Sequence, residues 1–202
     1  MKLYNSSTAP NPRRVRVFLA EKGIVVPVEE VDIVKAVNRG AEFRKKNPMG
    51  TLPVLELDDG TFLAESVAIC RYFEELQPEP RLMGTDVKDR ALVDMWDRRM
   101  EFEVLMATMG AFRYRHEFFK GRIEQSPEFA EICRRQAITS LAWLDSELAS
   151  RPFIAGDRFT IADITALCGI DFGRVSGIRI DPGQKNLSRW HAAVSARPSA
   201  RA

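Results

Sequence analysis

The stretch GTLPVLELDDGTFLAES, residues 50–66, places a proline, a tight turn and a polar pair at a helix start within one short span. Glu65 and Ser66 precede an apolar helical pattern, where backbone N–H groups lack partners and the helix dipole presents its positive end. Such a terminus attracts a carboxylate. The Ser66 hydroxyl adds a donor, and the Glu65 carboxylate can pair with an ammonium group. Together they suit a ligand group that carries both an amine and a carboxylate. Pro53 has no backbone N–H, so the main chain around Leu52 can stay out of a sheet and pair with an extended ligand. Plain structural roles compete with this: Ser66 as a helix cap and Pro53 as an edge-strand residue.

These residues need elements to hold them. KLY at 2–4 reads as a strand, and NPRRVRVFLAEKG at 11–23 as a helix with Pro12 in its first turn and Gly23 as its stop. IVVPVEEVDI at 24–33 reads as a second strand, kept near an edge by Pro27. NRGAEFRKKNP at 38–48 is a weak helical or turn segment. PVLEL and TFLAE flank Asp59-Gly60, a strong hairpin signal, and SVAICRYFEEL from Ser66 has helical spacing. The order strand, helix, strand, helix, hairpin, helix makes an α/β layer.

QPEPRLMGTD at 77–86 is rich in Pro and Gly and reads as a linker, after which helical patterns take over. Residues 88–119 read as one long helix kinked near Gly110, and 127–150 as the next. Thr160 and Asp163 form a capping-box variant, and a last helix is expected over about 185–196. The expected organisation is a first domain over 1–79, a linker over 80–87 and an all-helical domain over 88–202.

The chain has 202 residues, 45% of them hydrophobic and 29% charged, enough to bury a real core. A formal net charge of +2 with no block of like charge argues against nucleic acid as a partner. No apolar run is long enough for a membrane span, and MKLYNSS carries no signal-peptide core. Cys70, Cys133 and Cys168 are scattered without metal-ligand spacing, which points to reduced thiols in a cytoplasmic protein that binds no metal.

The segment NPMGTLPVLELDDGTFLAESVAICRYFEEL resembles the glutathione-binding core of the cytosolic glutathione S-transferases. RRVRVFLAEKGI at 13–24 and FIAGDRFTIADI at 153–164 extend the resemblance across nearly the whole chain, in order and at the right separation. The resemblance implies a thioredoxin-like α/β N-terminal domain, an all-α C-terminal domain, reduced glutathione as cosubstrate, detoxification chemistry and a homodimer. It also implies that Leu52 pairs its backbone with the cysteinyl part of glutathione, next to a cis Leu52–Pro53 bond. Glu65 and Ser66 would hold the γ-glutamyl end, with Arg39 and Thr51 near the glycyl carboxylate.

A glutathione thiol has an ordinary pKa near ~8.5 and must become a thiolate to attack. The family places a Tyr, Ser or Cys for this in the loop after the first strand. In YNSSTAPNPRR, aligned on Pro10, the cysteine position is Ala9, so the candidate donors are Ser7, Thr8 and Asn11. A water near His116 is the alternative. The resemblance puts Met106, Met109, Phe112, Tyr114 and His116 around the electrophile, where Met and aromatic side chains suit loosely specified hydrophobic substrates. It also offers Met95, Trp96, Arg98, Arg99 and Glu103 as interface candidates. Glutathione-dependent reduction of peroxides or disulfides, or a non-catalytic carrier, are the other functions this pattern allows. If the loop alignment holds, Ala9→Cys should introduce thiol-transfer activity toward a small disulfide. An assay showing no gain would reject that alignment.

Overall fold

The computed structural model describes residues 1–202 as two compact units, Met1–Arg81 with Arg201–Ala202, and Leu82–Ala200. In the first unit, β1 (Lys2–Asn5), α1 (Pro10–Lys22), β2 (Val28–Glu30), α2 (Ala41–Arg44), β3 (Val54–Glu56), β4 (Phe62–Ala64) and α3 (Ser66–Leu76) follow in order. The sheet order is β2-β1-β3-β4. β1 runs parallel to β2 and antiparallel to β3, and the hairpin at Asp59-Gly60 joins β3 to β4. The alternation of the pleat sorts the side chains. Leu3 and Leu55, paired in register, are fully buried, while their neighbours Tyr4 and Val54 join a separate cluster with Val31 and Phe43. α1 and α3 pack on each other, with Val15, Phe18, Ile69 and Phe73 buried.

Gly23 ends α1 in the left-handed conformation, and the Ile24 N–H reaches back to the Leu19 carbonyl at 2.9 Å. Just before it, the buried Lys22 ammonium lies 2.7 Å from Glu74 and donates to the carbonyls of Gln77 and Pro80, both at 2.8 Å. The Pro-rich stretch that read as a linker is thus tied to α1 by a desolvated charge. The strand expected over 24–33 is shorter than its apolar pattern, only Val28–Glu30, with all three residues exposed. β2 lies at the edge of the sheet, as Pro27 requires.

The second unit is helical: α4 (Val87–Arg99), α5 (Ala107–Arg113), α6 (Pro127–Glu147), α7 (Ile161–Gly173) and α8 (Lys185–Ser195). The long helix expected over 88–119 is corrected. A π-helical segment, Met100–Met106, separates α4 from α5, and helix stops at Arg113. The irregularity lies where α7 comes close: a Cβ on Gly169 would stand 3.0 Å from the Leu105 Cα. Gly110 causes no kink. It makes room for α6, since a Cβ there would lie 2.7 Å from Cys133 Sγ.

The helices gather on Asp163, which is fully buried. Its carboxylate accepts from the Thr160 N–H at 2.9 Å and hydroxyl at 3.2 Å, closing the capping box read from the sequence. It also accepts from the Ile154 N–H at 3.0 Å and the Trp190 indole at 2.8 Å. Burial pushes this carboxyl up, against the pull of those donors. Asp163→Ala would strand buried donors on three segments. It should cost about 3 kcal/mol or more of unfolding free energy in a urea titration.

Candidate functional site

The main chain from 47 to 53 is shaped by two asparagines. The buried Asn47 amide donates to the Thr51 carbonyl at 3.0 Å and hydroxyl at 2.9 Å, and its oxygen accepts from the Met49 N–H at 3.1 Å. Asn38 donates to the Gly50 carbonyl at 2.6 Å. Gly50 has φ +62°, and a Cβ there would lie 2.8 Å from the Asn38 carbonyl and 3.7 Å from the Arg39 Cα. Only glycine lets the turn holding Arg39 approach Thr51 and Leu52 so closely. The Leu52–Pro53 bond is cis. Pairing of β3 with β1 and β4 begins at Val54, so the Leu52 backbone is not spent on the sheet.

On the far side of the hairpin, Glu65 sits at φ +66°, ψ +116°, a conformation that costs roughly 1–3 kcal/mol for a residue with a Cβ. It turns β4 directly into α3. No side chain caps α3, so the N–H groups of its first turn remain open. The Ser66 side chain is buried, only 6% exposed, and its hydroxyl has no partner in the chain. The Glu65 carboxylate lies at the surface beside it.

The loop after β1 is clasped from two sides. Glu30 on β2 accepts from the Asn5 amide at 2.5 Å and the Ser7 N–H at 2.6 Å. Arg16 on α1 donates to Asn5 Oδ1 at 2.6 Å, the Ser6 carbonyl at 3.3 Å and the Ser7 carbonyl at 3.2 Å. Partial burial opposes the Glu30 charge, but these donors and Arg16 outweigh it and hold the carboxyl below its usual range. Thr8 is exposed at the turn, its hydroxyl 3.5 Å from that of Ser6. Ala9 is the N-cap of α1 and supplies no side-chain cap. Pro10 and Pro12 in the first turn have no N–H, which leaves Asn11 as the backbone donor between them.

In the helical unit, the Phe112 and His116 rings meet at a tilt with centroids 4.3 Å apart and line a cleft of about 360 Å³ with Arg115, Ala130 and Arg134. His116 Nδ1 accepts from the Phe118 N–H at 3.1 Å, which puts a neutral ring's proton on Nε2. Met106, Met109 and Tyr114 do not line this cleft. Met106 is half exposed on the π-helical segment, and Tyr114 packs edge-on to Phe129 at 4.9 Å. Trp96, expected at an interface, is buried in its own unit, stacked on Trp143 and under the Arg151 guanidinium.

Residues 8–76 match the family model of the glutathione S-transferase N-terminal domain, and residues 99–198 that of the C-terminal domain. The chain is 33% identical over 203 residues to glutathione S-transferase 2 of Saccharomyces cerevisiae, covering 98% of this chain and 87% of that one. The crystal structure of Gtt2 from Saccharomyces cerevisiae superposes with a TM-score of 0.95 at 32% identity, over 100% of this chain and 99% of that one. A glutathione S-transferase domain-containing protein of Marinobacter aquaeolei gives 0.94 at 38% identity, over 98% and 99%. The chain belongs to the glutathione S-transferase family.

Glutathione is accordingly the cosubstrate of this transferase. No group of three His, Cys, Asp or Glu side chains is placed to hold a metal ion. The cysteines Cys70, Cys133 and Cys168 are all buried, and none is in a disulfide. Sequence reading passed over Asn47, Gly50, Arg16 and Glu30, which shape the site's main chain. Gly50 was legible as the lone glycine before Thr51. Arg16 and Glu30 act through partners farther along the chain, whereas Asn47 bonds within its own turn. Gly50→Ala should push the Asn38–Arg39 turn aside. Calorimetry should show weaker glutathione binding, and thermal unfolding a loss of about 1–2 kcal/mol.

Proposed function

We propose that the transferase grips reduced glutathione through the first unit and activates its thiol at the loop after β1. What carries this reading is an uncapped helix start with a buried, unpartnered Ser66 hydroxyl beside the strained Glu65. The γ-glutamyl carboxylate takes the α3 N-terminus and Ser66, and its ammonium takes Glu65. The cysteinyl main chain runs along Leu52 beside Pro53, and the glycyl carboxylate turns toward Arg39 and Thr51. Ser7, Thr8 and Asn11 are the loop donors for the sulfur.

A hydrogen bond to the sulfur favours loss of its proton to water. The thiolate then attacks an electrophilic carbon, forming a C–S bond as the leaving group departs with its electron pair. The electrophiles are small hydrophobic compounds. The cleft lined by Phe112 and His116 is the place in the helical unit that receives them. We further assign a detoxifying role in the cytoplasm as a homodimer, with Met95, Arg98, Arg99 and Glu103 as interface residues.

Ser66→Ala and Glu65→Gln should each weaken glutathione binding about tenfold by calorimetry, a loss of ~1.4 kcal/mol, with unchanged circular dichroism. Unaltered affinity in both would remove the γ-glutamyl assignment.

A further inference from the structure

The cleft of the helical unit has a lining of two kinds. Ala111 and Ala130 are buried, Phe112 is half-buried and Val175 is exposed, which makes part of the lining apolar. Phe112 is held in place by edge-on contacts to Phe119 at 5.6 Å and Phe172 at 5.2 Å. The rest of the lining is charged, and its charges are not equally occupied. Arg134 donates to both oxygens of Glu131, at 2.9 Å and 3.0 Å, and holds that carboxyl below its usual range. Glu131 also lies 3.8 Å from Arg135, and Glu117 lies 3.8 Å from Lys120. Arg115 adds only a weaker pull on Glu131, and its guanidinium makes no ion pair or hydrogen bond in the chain. Next to it, His116 Nδ1 is spent on the Phe118 N–H, which leaves the Nε2–H without an acceptor. Both carboxylates of the lining thus have cations, while two consecutive N–H donors have nothing to donate to.

We propose that this cleft selects electrophiles that carry an anionic group, a carboxylate or a sulfonate, on an aromatic ring, with Arg115 setting the preference. The ring packs on Phe112 and the apolar lining, and the anion takes the Arg115 guanidinium and the His116 Nε2–H. A guanidinium matches such an anion with two parallel N–H···O bonds, which a neutral group of the same shape cannot match in strength. Arg134 does not serve equally, because a ligand would have to displace Glu131 from it. A cleft of about 360 Å³ has room for one substituted ring. This inference deepens the reading that the cleft receives the electrophile, and it rests on that reading.

Two matched pairs of probes separate the charge from the ring. Unreactive nitrobenzoate and nitrobenzamide are titrated by calorimetry. A chloronitrobenzoate and its carboxamide are turned over with glutathione, each rate divided by that of the uncatalysed reaction. In that reaction the thiolate forms a C–S bond at the ring carbon, and the C–Cl bond breaks as chloride leaves with its electron pair. The wild type should favour the carboxylate over the amide about tenfold, in affinity and in kcat/KM. Arg115→Gln should bring that ratio to about one. Glu131→Gln, which loosens the hold on Arg134 and removes a negative charge from the lining, should raise it several-fold. A gain of that kind does not follow from a damaged fold. Arg135→Gln removes a cation outside the lining and should change the ratio by less than about twofold. The same ratio in the wild type and Arg115→Gln would overturn the proposal, as would a wild type that binds neither probe. A loss in Arg135→Gln equal to that in Arg115→Gln would overturn it too, since general surface charge would then be the cause. If Arg115→Gln fails to fold, Glu131→Gln decides, and a ratio that stays or falls there overturns the proposal. Nitrobenzoate that binds through Arg115 yet does not inhibit turnover of the carboxamide would leave the anion site standing. It would reject instead the reading of this cleft as the place of the electrophile.

Discussion

Between β4 and α3 the chain turns within a single residue, and the left-handed backbone of Glu65 is what allows it. That conformation is unfavourable for a residue with a side chain, and a glycine would adopt it freely. A glutamate there puts an exposed acidic residue at the uncapped start of α3, next in sequence to the buried Ser66. The rest of the first unit maintains this arrangement. The hairpin delivers β4 to the turn, the packing of α1 on α3 fixes the helix axis, and Ile69 and Phe73 bury the face away from the terminus. Local strain is tolerated because the surrounding core over-determines it.

A tripeptide cosubstrate is recognised largely through its main chain, so the protein must keep some of its own main chain unspent. Two devices achieve this here. At Leu52, pairing with the sheet starts only at Val54, after the cis bond to Pro53. At α3, the absence of a capping side chain leaves donors open. Elsewhere the backbone is closed off with care. Asn47 and Asn38 satisfy the carbonyls of Thr51 and Gly50, and Asp163 closes the start of α7 and ties it to Trp190. One helix start is fully satisfied and the other is open, and the open one is the terminus proposed to bind.

Charged groups perform distinct tasks in the two units. Lys22 and Asp163 are desolvated and fully partnered, and they join segments far apart in sequence. Glu30 and Arg16 remain nearer the surface and grip a loop of small residues that could not hold its own shape. A polar loop with an Ala cap and two prolines in the following turn has few internal bonds, so its conformation is imposed from β2 and α1.

Much of the fold could be read from the chain. The hairpin at Asp59-Gly60, the stop at Gly23, the edge strand at Pro27 and the capping box at Thr160–Asp163 all follow from short-range rules of backbone geometry. The polar pair Glu65-Ser66 and the Leu52-Pro53 step were legible for the same reason. The π-helical segment was not, because it answers to Gly169 reaching Leu105 from another helix. Trp96 looked like an interface residue until Trp143 and Arg151 covered it. The glutamate that holds Ser7 and the arginine beside it also escaped notice, since their partners lie 23 and 9 residues away along the chain. Local sequence thus determined where strands, turns and helix starts fall, since these depend on each residue's own torsional freedom and its near neighbours. Tertiary structure alone decided which hydroxyls and N–H groups stay unclaimed. A polar group is free for a ligand only when no distant part of the chain has already satisfied it.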